Sequence, residues 1–564
     1  MSKLQINCRN YSEGNIVLND NTKIPINGYD KIGKAFHGDL VEIVNENIKV
    51  LKSNIKNIKI SGVLELYSKY KFKTNKRGVE KFKFVPLSNN YPCFLVGTRV
   101  KKKYSKNILI TIKYHSWNEN LPYGEIIEIF GETDNINSQY DGILHKYDLV
   151  SKLPKIKKPL VINFDTIDGY DDITKHHVVS VDPIGCLDID DAFSYSKINK
   201  NKYILGIHIS DVVGTLKKLE LNYLLNDLTT SIYSPHKIIN MFPKILSNGC
   251  ISLLQGKKRL AISLWISIDN NKIIKTEYKR SILINKKTYN YDSYKNIEFI
   301  NLVKNLQYNS IDKHILENYD THKMIEKLMI IYNCEVAKFI IKNGENPIFR
   351  IHTKNKNLLN NNNLSGELGK FLNIIKNKSA EYTFDNLNTL HSALNLKNYI
   401  HFTSPIRRYT DCYNHNIVHN ILEKNNYKIS INLEKINNIN KRIKKAEREF
   451  SKIKFKNLIE QTKNNTFQGY IYNVKENFKA SVYIPKYKLS INTNIIDKKL
   501  HSIHSIKIDT QYIYINNTIS NSGYKLKYNT LINFDIYLEY NLKNPYTNLK
   551  IKFNELYRTN GPMD

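Results

Sequence analysis

The chain has 564 residues and a formal net charge of +33, with 85 Lys and Arg against 52 Asp and Glu. This length exceeds what one hydrophobic core serves, so we expect roughly three or four domains. No apolar run approaches the ~18 residues of a membrane-spanning helix, and the first residues lack the apolar core of a signal peptide. We therefore expect a cytoplasmic protein that does not associate with membranes. The positive charge favours a polyanionic partner, nucleic acid above all, and a general bias toward Lys is the alternative.

The six cysteines are scattered and form no C-x-x-C pair. This spacing argues against a zinc site and against a disulfide framework. We expect isolated buried thiols.

Residues 1 to about 155 alternate short β-rich runs with polar turns, as in NIKISGVLELYSKYKF and NILITIKYHSW. Regular short strands predict small β-barrels. Lys and Tyr alternate along these strands. Such a pattern is typical of a surface that stacks bases and binds phosphates, but also of an ordinary solvent-facing strand.

From about 156 to 460 strand-like runs alternate with helical ones, which predicts a large mixed α/β domain. MIEKLMIIYNCEVAKFIIK carries apolar residues at helical spacing. Residues 433 to 453 do so as well, with a stripe formed by Leu433, Ile436, Ile439, Ile443, Ala446, Phe450 and Ile453. After about residue 461 the β pattern returns and predicts a further small barrel.

Residues 178 to 195, VVSVDPIGCLDIDDAFSY, gather four aspartates directly after a β-branched run. A Pro and a Gly end the strand, so Asp182 lies at its end and the other three follow on a loop. In extended backbone Asp188 and Asp190 share a face, while Asp191 points away unless the chain turns. Apolar flanking residues predict a partly buried cluster, whose mutual repulsion favours hard cations such as Mg²⁺. A solvated acidic turn is the alternative.

Residues 399 to 422, YIHFTSPIRRYTDCYNHNIVHNIL, form a second constellation. Ser404 is a good N-cap and Pro405 a good first helical residue. Arg407 and Arg408 then fall in the first turn, where the macrodipole disfavours cations but free N–H groups attract phosphate. We expect an anion between them, and an i, i+4 pair of Arg407 with Asp411 is the alternative.

Glu447 shares the apolar side of the helix predicted over 433 to 453. An acid there lies either at the edge of the apolar face or in a polar site beneath it. Its position alone favours the edge.

Taken together, these segments resemble the RNase II/RNase R family of RNB exoribonucleases, which includes the catalytic subunit of the eukaryotic exosome. VVSVDPIGCLDIDDAFS is similar to the family motif T-I-D-P-x-x-x-x-D-x-D-D-A, with all four aspartates in register. IHFTSPIRRYTD is similar to H-F-T-S-P-I-R-R-Y-x-D. ILGIHISDV, SIYSPHKIINMFPKILSNGCISL and KAFHGDLVEI resemble three further motifs of the family.

The resemblance implies a multidomain α+β fold. Two N-terminal OB-fold (cold-shock-type) β-barrels are expected at 1–58 and 59–155. A central mixed α/β RNB catalytic domain is expected at 156–460, and a C-terminal RNA-binding OB-fold β-barrel at 461–564. We expect a monomer and leave membership of a larger complex open.

The resemblance also implies an activity: Mg²⁺-dependent, processive 3′→5′ hydrolysis of single-stranded RNA to nucleoside 5′-monophosphates, with Mn²⁺ as the alternative ion. Carried over position by position, metal binding and catalysis fall to Asp182, Asp188, Asp190 and Asp191, of which Asp190 is the most critical. Arg407 is placed near the scissile phosphate.

For RNA binding, the resemblance implies that Tyr233 stacks on the terminal base. The other expected RNA contacts are Tyr289, Arg407, Arg408, Glu447 and His208. Asn416 stands where the family has an arginine. A catalytically weakened RNA-binding protein with the same fold is therefore the alternative function.

Overall fold

The computed structural model describes most of residues 2–560. Its longer gaps are 309–318, 353–370, 373–379, 496–503 and 539–548, and its shorter ones are 8–9, 46, 69–71, 73, 75–77, 151–152, 158–159, 227, 388, 476, 509–511, 518–521, 528–530 and 555–556. Within the described part, no helix combines the length and the apolar character required to cross a membrane. Along the chain, a β zone, a mixed zone and a second β zone follow one another as predicted.

The N-terminal strands form a five-stranded sheet in the order β3-β2-β1-β4-β5. Alternate apolar residues such as Leu4, Ile6 and Ile16 are buried on one face of this sheet. Its elements are β1 (Ser2–Asn7), β2 (Asn10–Val17), β3 (Lys23–Asn27), α1 (Tyr29–Ile32), β4 (Leu40–Val44) and β5 (Asn47–Lys52).

The next five strands close into a barrel in the order β10-β8-β7-β6-β9. They are β6 (Lys59–Leu64), β7 (Lys81–Pro86), β8 (Phe94–Gly97), β9 (Ile108–Ser116) and β10 (Tyr123–Glu132), followed by helix α2 (Ile136–Lys146). The side chain of Asn135 caps α2 by accepting hydrogen bonds from the N–H groups of Asn137 and Ser138. Buried residues of α2 such as Ile143 share a cluster with residues near 450 and so join the barrel to the central zone.

The central zone is built on a six-stranded sheet in the order β11-β18-β12-β13-β14-β17, in which β17 also pairs with β18. The strands are β11 (Asp171–Asp172), β12 (Val178–Val181), β13 (Asp191–Lys197), β14 (Lys202–Ser210), β17 (Lys258–Asp269) and β18 (Lys272–Tyr289). Two short pairs accompany them: β15 (Ile232–Tyr233) with β16 (Ile238–Ile239), and β19 (Phe349–Ile351) with β20 (Glu381–Thr383). The helices are α3 (Val212–Lys218), α4 (Ile297–Asn305), α5 (Thr321–Lys342), α6 (Tyr409–Glu423) and α7 (Leu433–Thr462).

Helices α5 and α7 confirm the helical patterns read from the sequence. Met324, Leu328 and Ile331 of α5 are fully buried in one core with the central sheet. In α7 the predicted stripe faces inward, with Ala446 and Phe450 buried against α2 and the barrel. The apolar face of α7 therefore fixes the barrel against the central zone.

The C-terminal zone consists of two sheets. One has the order β23-β22-β21-β27-β28 and the other the order β24-β25-β26-β29. Their strands are β21 (Thr466–Tyr472), β22 (Lys479–Ile484), β23 (Leu489–Asn494), β24 (His504–Ile508), β25 (Tyr512–Asn517), β26 (Ser522–Lys527), β27 (Leu531–Leu538), β28 (Leu549–Phe553) and β29 (Tyr557–Asn560). Residues of both sheets, among them Val482 and Ile513, share one core. The residue limits of the four domains stay predictions.

Candidate active site

The four aspartates of the acidic segment are held by two neighbouring strands of the central sheet. Asp182 follows the last residue of β12, and its N–H donates to the carbonyl of Tyr289 at 2.9 Å. Asp191 is the first residue of β13, and Asp188 and Asp190 lie in the link before it. All four line one cavity of about 520 Å³. The chain therefore turns, and Asp191 does not point away from the other three.

A tight turn shapes the link between the two strands. The N–H of Cys186 donates to the carbonyl of Pro183 at 3.1 Å. Gly185 has a φ of 78°, a left-handed value that side chains disfavour. The thiol of Cys186 donates to Asp188 at 3.5 Å. The turn thus sends the chain back toward the cavity.

Asp190 is the most deeply buried of the four, with 4% of its surface exposed. Its carboxylate accepts one hydrogen bond from the N–H of Ile406 at 2.9 Å and one from Nε of Arg407 at 3.1 Å. Its carbonyl accepts a third from the N–H of Ser210 at 2.8 Å. The two motifs, which are distant in sequence, therefore meet at this one carboxylate.

Burial raises the pKa of three of these carboxyls. It brings that of Asp190 to about 7, although the charge of Arg407 favours the ionised form. Burial, with the charge of Asp188 adding to it, raises the pKa of Asp182 to about 6. Burial and then the charges of Asp182 and Asp190 raise the pKa of Asp191 well above its usual value. The cluster therefore retains protons near neutral pH, and a bound cation would displace them.

The predicted helix start at Ser404 and Pro405 is wrong. Helix α6 begins at Tyr409, and the residues before it form a turn in which the N–H of Arg408 donates to the carbonyl of Ser404 at 3.0 Å. Arg408 has extended backbone angles because it pairs with Thr230 in an isolated β-bridge. This pairing interrupts the helical path that Ser404 and Pro405 would have opened.

The two arginines before α6 pair with different acids. Arg407 contacts Asp190, whereas Nη2 of Arg408 lies 2.7 Å from the fully buried carboxylate of Asp411. The alternative pair of Arg407 with Asp411 is therefore wrong, since it is Arg408 that pairs with Asp411. The side chain of Arg407 is 43% exposed, and its second contact is the hydroxyl of Ser404 at 2.9 Å. Its guanidinium is anchored and still accessible from the cavity.

Tyr233 lies at the mouth of the same cavity. The segment before it runs beside the arginine motif, with the N–H of Ser231 donating to the carbonyl of Arg407 at 2.9 Å. The hydroxyl of Tyr233 donates to Asp188 at 3.0 Å, and 44% of the residue is exposed. An accessible aromatic ring thus adjoins the carboxylates.

His208 and Glu447 lie away from the cavity. His208 is fully buried within the sheet, where its ring bonds to the hydroxyls of Ser194 at 2.9 Å and Ser263 at 2.8 Å. Burial lowers its pKa to about 3, so it is a neutral core residue without a surface for RNA. Glu447 is exposed on α7, at the edge of the apolar face, and does not line the cavity.

Tyr291, two residues beyond the predicted Tyr289, lines the aspartate cavity, whereas Tyr289 does not. Tyr289 ends β18, contacts Tyr294 edge-on at 5.2 Å and lines a separate cavity of about 220 Å³. The side chain of Asn290 accepts hydrogen bonds that close a turn directly after the strand. The turn redirects Tyr291, whose ring stacks on His322 at 3.8 Å. The sequence Tyr289-Asn290-Tyr291 could have indicated Tyr291, because Asn between two tyrosines favours a turn after the strand.

Helix α5 supplies the opposite wall of the cavity. Ile325, Glu326, Met329 and Asn333 line it. The carbonyl oxygen of the Asn333 side chain accepts from the N–H of Phe402 at 2.9 Å, so this wall is tied to the arginine motif. The sequence predicted the helix but assigned it no part in the site.

The donor chemistry of the cavity fits a hard divalent cation. The four aspartates and Glu326 line it, and Oδ2 of Asp182 is buried without a hydrogen-bond partner. Carboxylate oxygens are the ligands that Mg²⁺ and Mn²⁺ prefer. In the part of the chain that the structure describes, no three His, Cys, Asp or Glu side chains are arranged to hold an ion together. Binding would therefore require the carboxylates to move closer.

These features define a multidomain α+β protein in which β-rich domains flank a central acidic cavity with an arginine at its wall. The family model for the RNB domain matches residues 170–298 and 293–424, and that for the Dis3-like cold-shock domain 2 matches residues 81–148. The chain belongs to the RNase II/RNase R, or RNB, family.

Two curated relatives align with somewhat more than half of the chain. Ribonuclease R of Thermotoga maritima is 26% identical over 428 residues, which are 61% of this chain and 60% of that protein. Exosome complex exonuclease RRP44 of Mus musculus is 25% identical over 429 residues, 60% of this chain and 44% of that protein. The alignments thus span less than two thirds of either relative.

Solved structures confirm the multidomain fold. RNase R of Mycoplasma genitalium, in complex with ribose methylated single-stranded RNA, has a TM-score of 0.72 at 19% identity and covers 98% of this chain and 100% of its own. Yeast Ssd1, whose structure is called that of a pseudonuclease, has a TM-score of 0.61 at 14% identity and covers 93% and 81%. At these identities the likeness concerns the fold alone.

Proposed function

We propose that the chain is an exoribonuclease that hydrolyses single-stranded RNA processively from the 3′ end to nucleoside 5′-monophosphates by a two-metal mechanism with Mg²⁺. The observation that carries this proposal is the meeting of four aspartates and Arg407 in one cavity. The chain has a net charge of +33, so an acidic cluster within it requires an explanation. Cations held by the cluster, which the RNA backbone then approaches, provide one.

The four aspartates would hold the metal, and Mn²⁺ is the alternative ion. Bound Mg²⁺ supplies a polarised water and neutralises phosphate charge. Arg407 neutralises the charge that grows on the phosphate in the transition state, because its guanidinium is held by Asp190 and Ser404 while part of it stays accessible.

Tyr233 and Tyr291 position the 3′-terminal nucleotides. Both rings line the cavity, and stacking on an aromatic ring holds a base without reading its identity. Single-stranded RNA as substrate is supported by the ligand named for the Mycoplasma genitalium protein and by the excess of Lys and Arg. We propose that the chain acts as a monomer, and the exosome named for RRP44 is the kind of larger complex that it would join.

The test uses single-stranded RNA labelled at the 5′ end, with Mg²⁺ or with EDTA, followed on a sequencing gel. We expect progressive 3′ shortening and release of mononucleotides with Mg²⁺, and none with EDTA. Asp190→Asn removes the charge at the centre of the site, so it should abolish release while RNA binding persists. Asp165→Asn, at an exposed position outside the cavity, is the matched control and should retain full activity. Wild-type turnover in Asp190→Asn would exclude the proposal.

A catalytically weakened RNA-binding protein is the second candidate. It is favoured by the lack, among the described residues, of three ligand side chains arranged around one ion. It is also favoured by Asn416, which stands where the family has an arginine and donates to the carbonyl of Tyr427 at 2.7 Å. A mobility shift of the RNA without shortening, at any Mg²⁺ or Mn²⁺ concentration, would support this candidate.

A further inference from the structure

The C-terminal sheet carries aromatic side chains on the face opposite its core. Side chains alternate along a strand, and Phe467 and Ile471 of β21 and Val482 of β22 lie in the core. Tyr472 and Tyr483, on the same two strands, therefore face outward. Neighbouring outward aromatic rings on a small β-barrel are the platform on which proteins stack the bases of single strands.

Phe371, from the central zone, covers this platform. Its ring lies parallel to that of Tyr483, with the ring centres 3.7 Å apart and 6° between the planes. It meets Tyr472 edge-on at 5.3 Å. Together with Leu372 it leaves Tyr472 and Tyr483 only 8% exposed each. The platform exists but is occupied by the protein's own side chain.

The geometry of the contact resembles that of a stacked base more than that of an ordinary aromatic pair. Phenyl rings prefer offset or edge-on arrangements, with centres about 4.5–7 Å apart, over a directly superposed sandwich. Phe371 and Tyr483 adopt the superposed arrangement, which is the less favourable one for two such rings. A base offers a more polarised face, so it can compete for the same position.

Helix α7 places a cation near this platform. Arg448 of α7 acts on Tyr472, where it partly offsets the burial that raises the pKa of the phenol. Lys444 lies one helical turn earlier, and burial, Arg350 and Arg448 together lower its pKa. The backbone of a strand stacked on the platform would thus meet the positive charge of α7.

We propose that Phe371 occupies, in the RNA-free protein, the stacking site that Tyr472 and Tyr483 offer to a base of single-stranded RNA. RNA binding across the C-terminal sheet then requires displacement of Phe371. The contact of Phe371 with Tyr483 therefore lowers the affinity for RNA. This inference rests on the proposed function, because it takes single-stranded RNA as the ligand.

The test measures the affinity of 5′-labelled oligouridine by fluorescence anisotropy in the full chain carrying Asp190→Asn, so that no cleavage occurs. Phe371→Ser should tighten binding about fivefold or more, because the apparent affinity is proportional to the fraction of molecules whose site is open. Tyr483→Ser should weaken it by about 5- to 150-fold, the range for loss of one stacked base. In the double variant the gain from Phe371→Ser should disappear.

The controls separate competition from simple packing. Phe384→Ser removes another partly exposed phenylalanine, which contacts Tyr413 edge-on at 5.6 Å, and should leave the affinity unchanged. Phe371→Tyr keeps the ring and should behave as the parent chain. If Phe371→Ser lowers the thermal stability and does not tighten binding, the ring serves only to join two zones and the proposal falls. Should the Ser variant not fold, Phe371→Leu decides, since it keeps apolar contact without a ring, and unchanged affinity there overturns the proposal equally.

Failure of the proposed exonuclease activity and failure of the competition by Phe371 give different results. Failure of the exonuclease would appear as RNA that stays at full length with Mg²⁺. If Phe371 does not compete with RNA, the Phe371→Ser variant will bind RNA with the same affinity as its parent chain.

Discussion

Replacing Arg407 by Gln should shift the pH dependence of the proposed activity toward higher pH. Nε of Arg407 lies 3.1 Å from Asp190, a carboxylate with 4% of its surface exposed. Burial raises the pKa of Asp190 to about 7 even with this cation beside it. Without the cation, the neutral acid is favoured further, and a protonated acid is a poor metal ligand.

The size of the shift follows from the contact. An opposite charge in direct contact lowers a carboxyl pKa by about 1–3 pH units. Its removal therefore moves the pKa of Asp190 from about 7 to about 8–10. At pH 7 the ionised fraction then falls from about one half to between about a tenth and a thousandth, so the rate should fall about 5- to 500-fold.

The measurement is the initial rate of mononucleotide release between about pH 6 and 10 at fixed Mg²⁺, with RNA in excess. Arg407 also faces the phosphate in the proposed function, and loss of that role lowers the plateau at high pH without moving the midpoint. Arg408→Gln is the matched control, because Arg408 pairs with Asp411, and it should move the midpoint less. An unchanged midpoint in Arg407→Gln would refute the coupling of Arg407 to Asp190.

Two further predictions concern the base site and the support of helix α6. Tyr291→Ala should lower kcat/KM on RNA about 5- to 150-fold, because one stacked base is lost. Tyr289→Ala is the control and should leave kcat/KM near the wild-type value. Equal effects of the two substitutions would contradict the placement of Tyr291 in the cavity. Asp211→Asn should lower the free energy of unfolding by about 1–3 kcal/mol in urea titrations at about pH 6, because it removes the nearer of the two acids that contact the fully buried His419. Asp211 lies 2.7 Å from Nε2 of His419, and Glu423 lies 3.3 Å from its Nδ1. Burial works to raise the pKa of Asp211, but His419 outweighs it, so the carboxylate contributes above its unfolded pKa of about 4 and loses this contribution on acidification. Burial works to lower the pKa of His419, but Asp211 raises it, so its contribution is complete below about pH 6.5 and fades as the pH rises through the raised pKa. A difference between variant and wild type that does not shrink at high pH would contradict this assignment.

Spacing along the chain was enough to predict the acidic cluster and its burial. Asp182 directly follows one strand and Asp191 begins the next, so a short link between antiparallel strands brings the carboxylates together. The helical stripe of α7 was equally readable, because burial on one side of a helix leaves a period of 3.6 residues. These features depend on local sequence alone.

Features that depend on contacts between distant segments could not be predicted from the sequence. The start of α6 moved to Tyr409 because Arg408 pairs with Thr230, a residue of another segment. The choice between Tyr289 and Tyr291 depended on a turn that Asn290 closes at the end of β18. In both cases a tertiary contact or a side-chain cap overrode the pattern that the neighbours in sequence indicated.

Two adjacent arginines show what burial adds to such a pattern. In the sequence, Arg407 and Arg408 were equal candidates for phosphate. In the structure, Arg408 is bound through two nitrogens to Asp411, whose side chain is fully buried and also accepts from the N–H of Ser404. Arg407 donates one hydrogen bond to Asp190 and one to the hydroxyl of Ser404, and its side chain is 43% exposed. A cation bound at Asp190 would compete with Arg407 for this carboxylate. Metal binding would therefore make Nε of Arg407 available to a phosphate, while Ser404 still holds Nη2 and the pair of Arg408 with Asp411 stays intact.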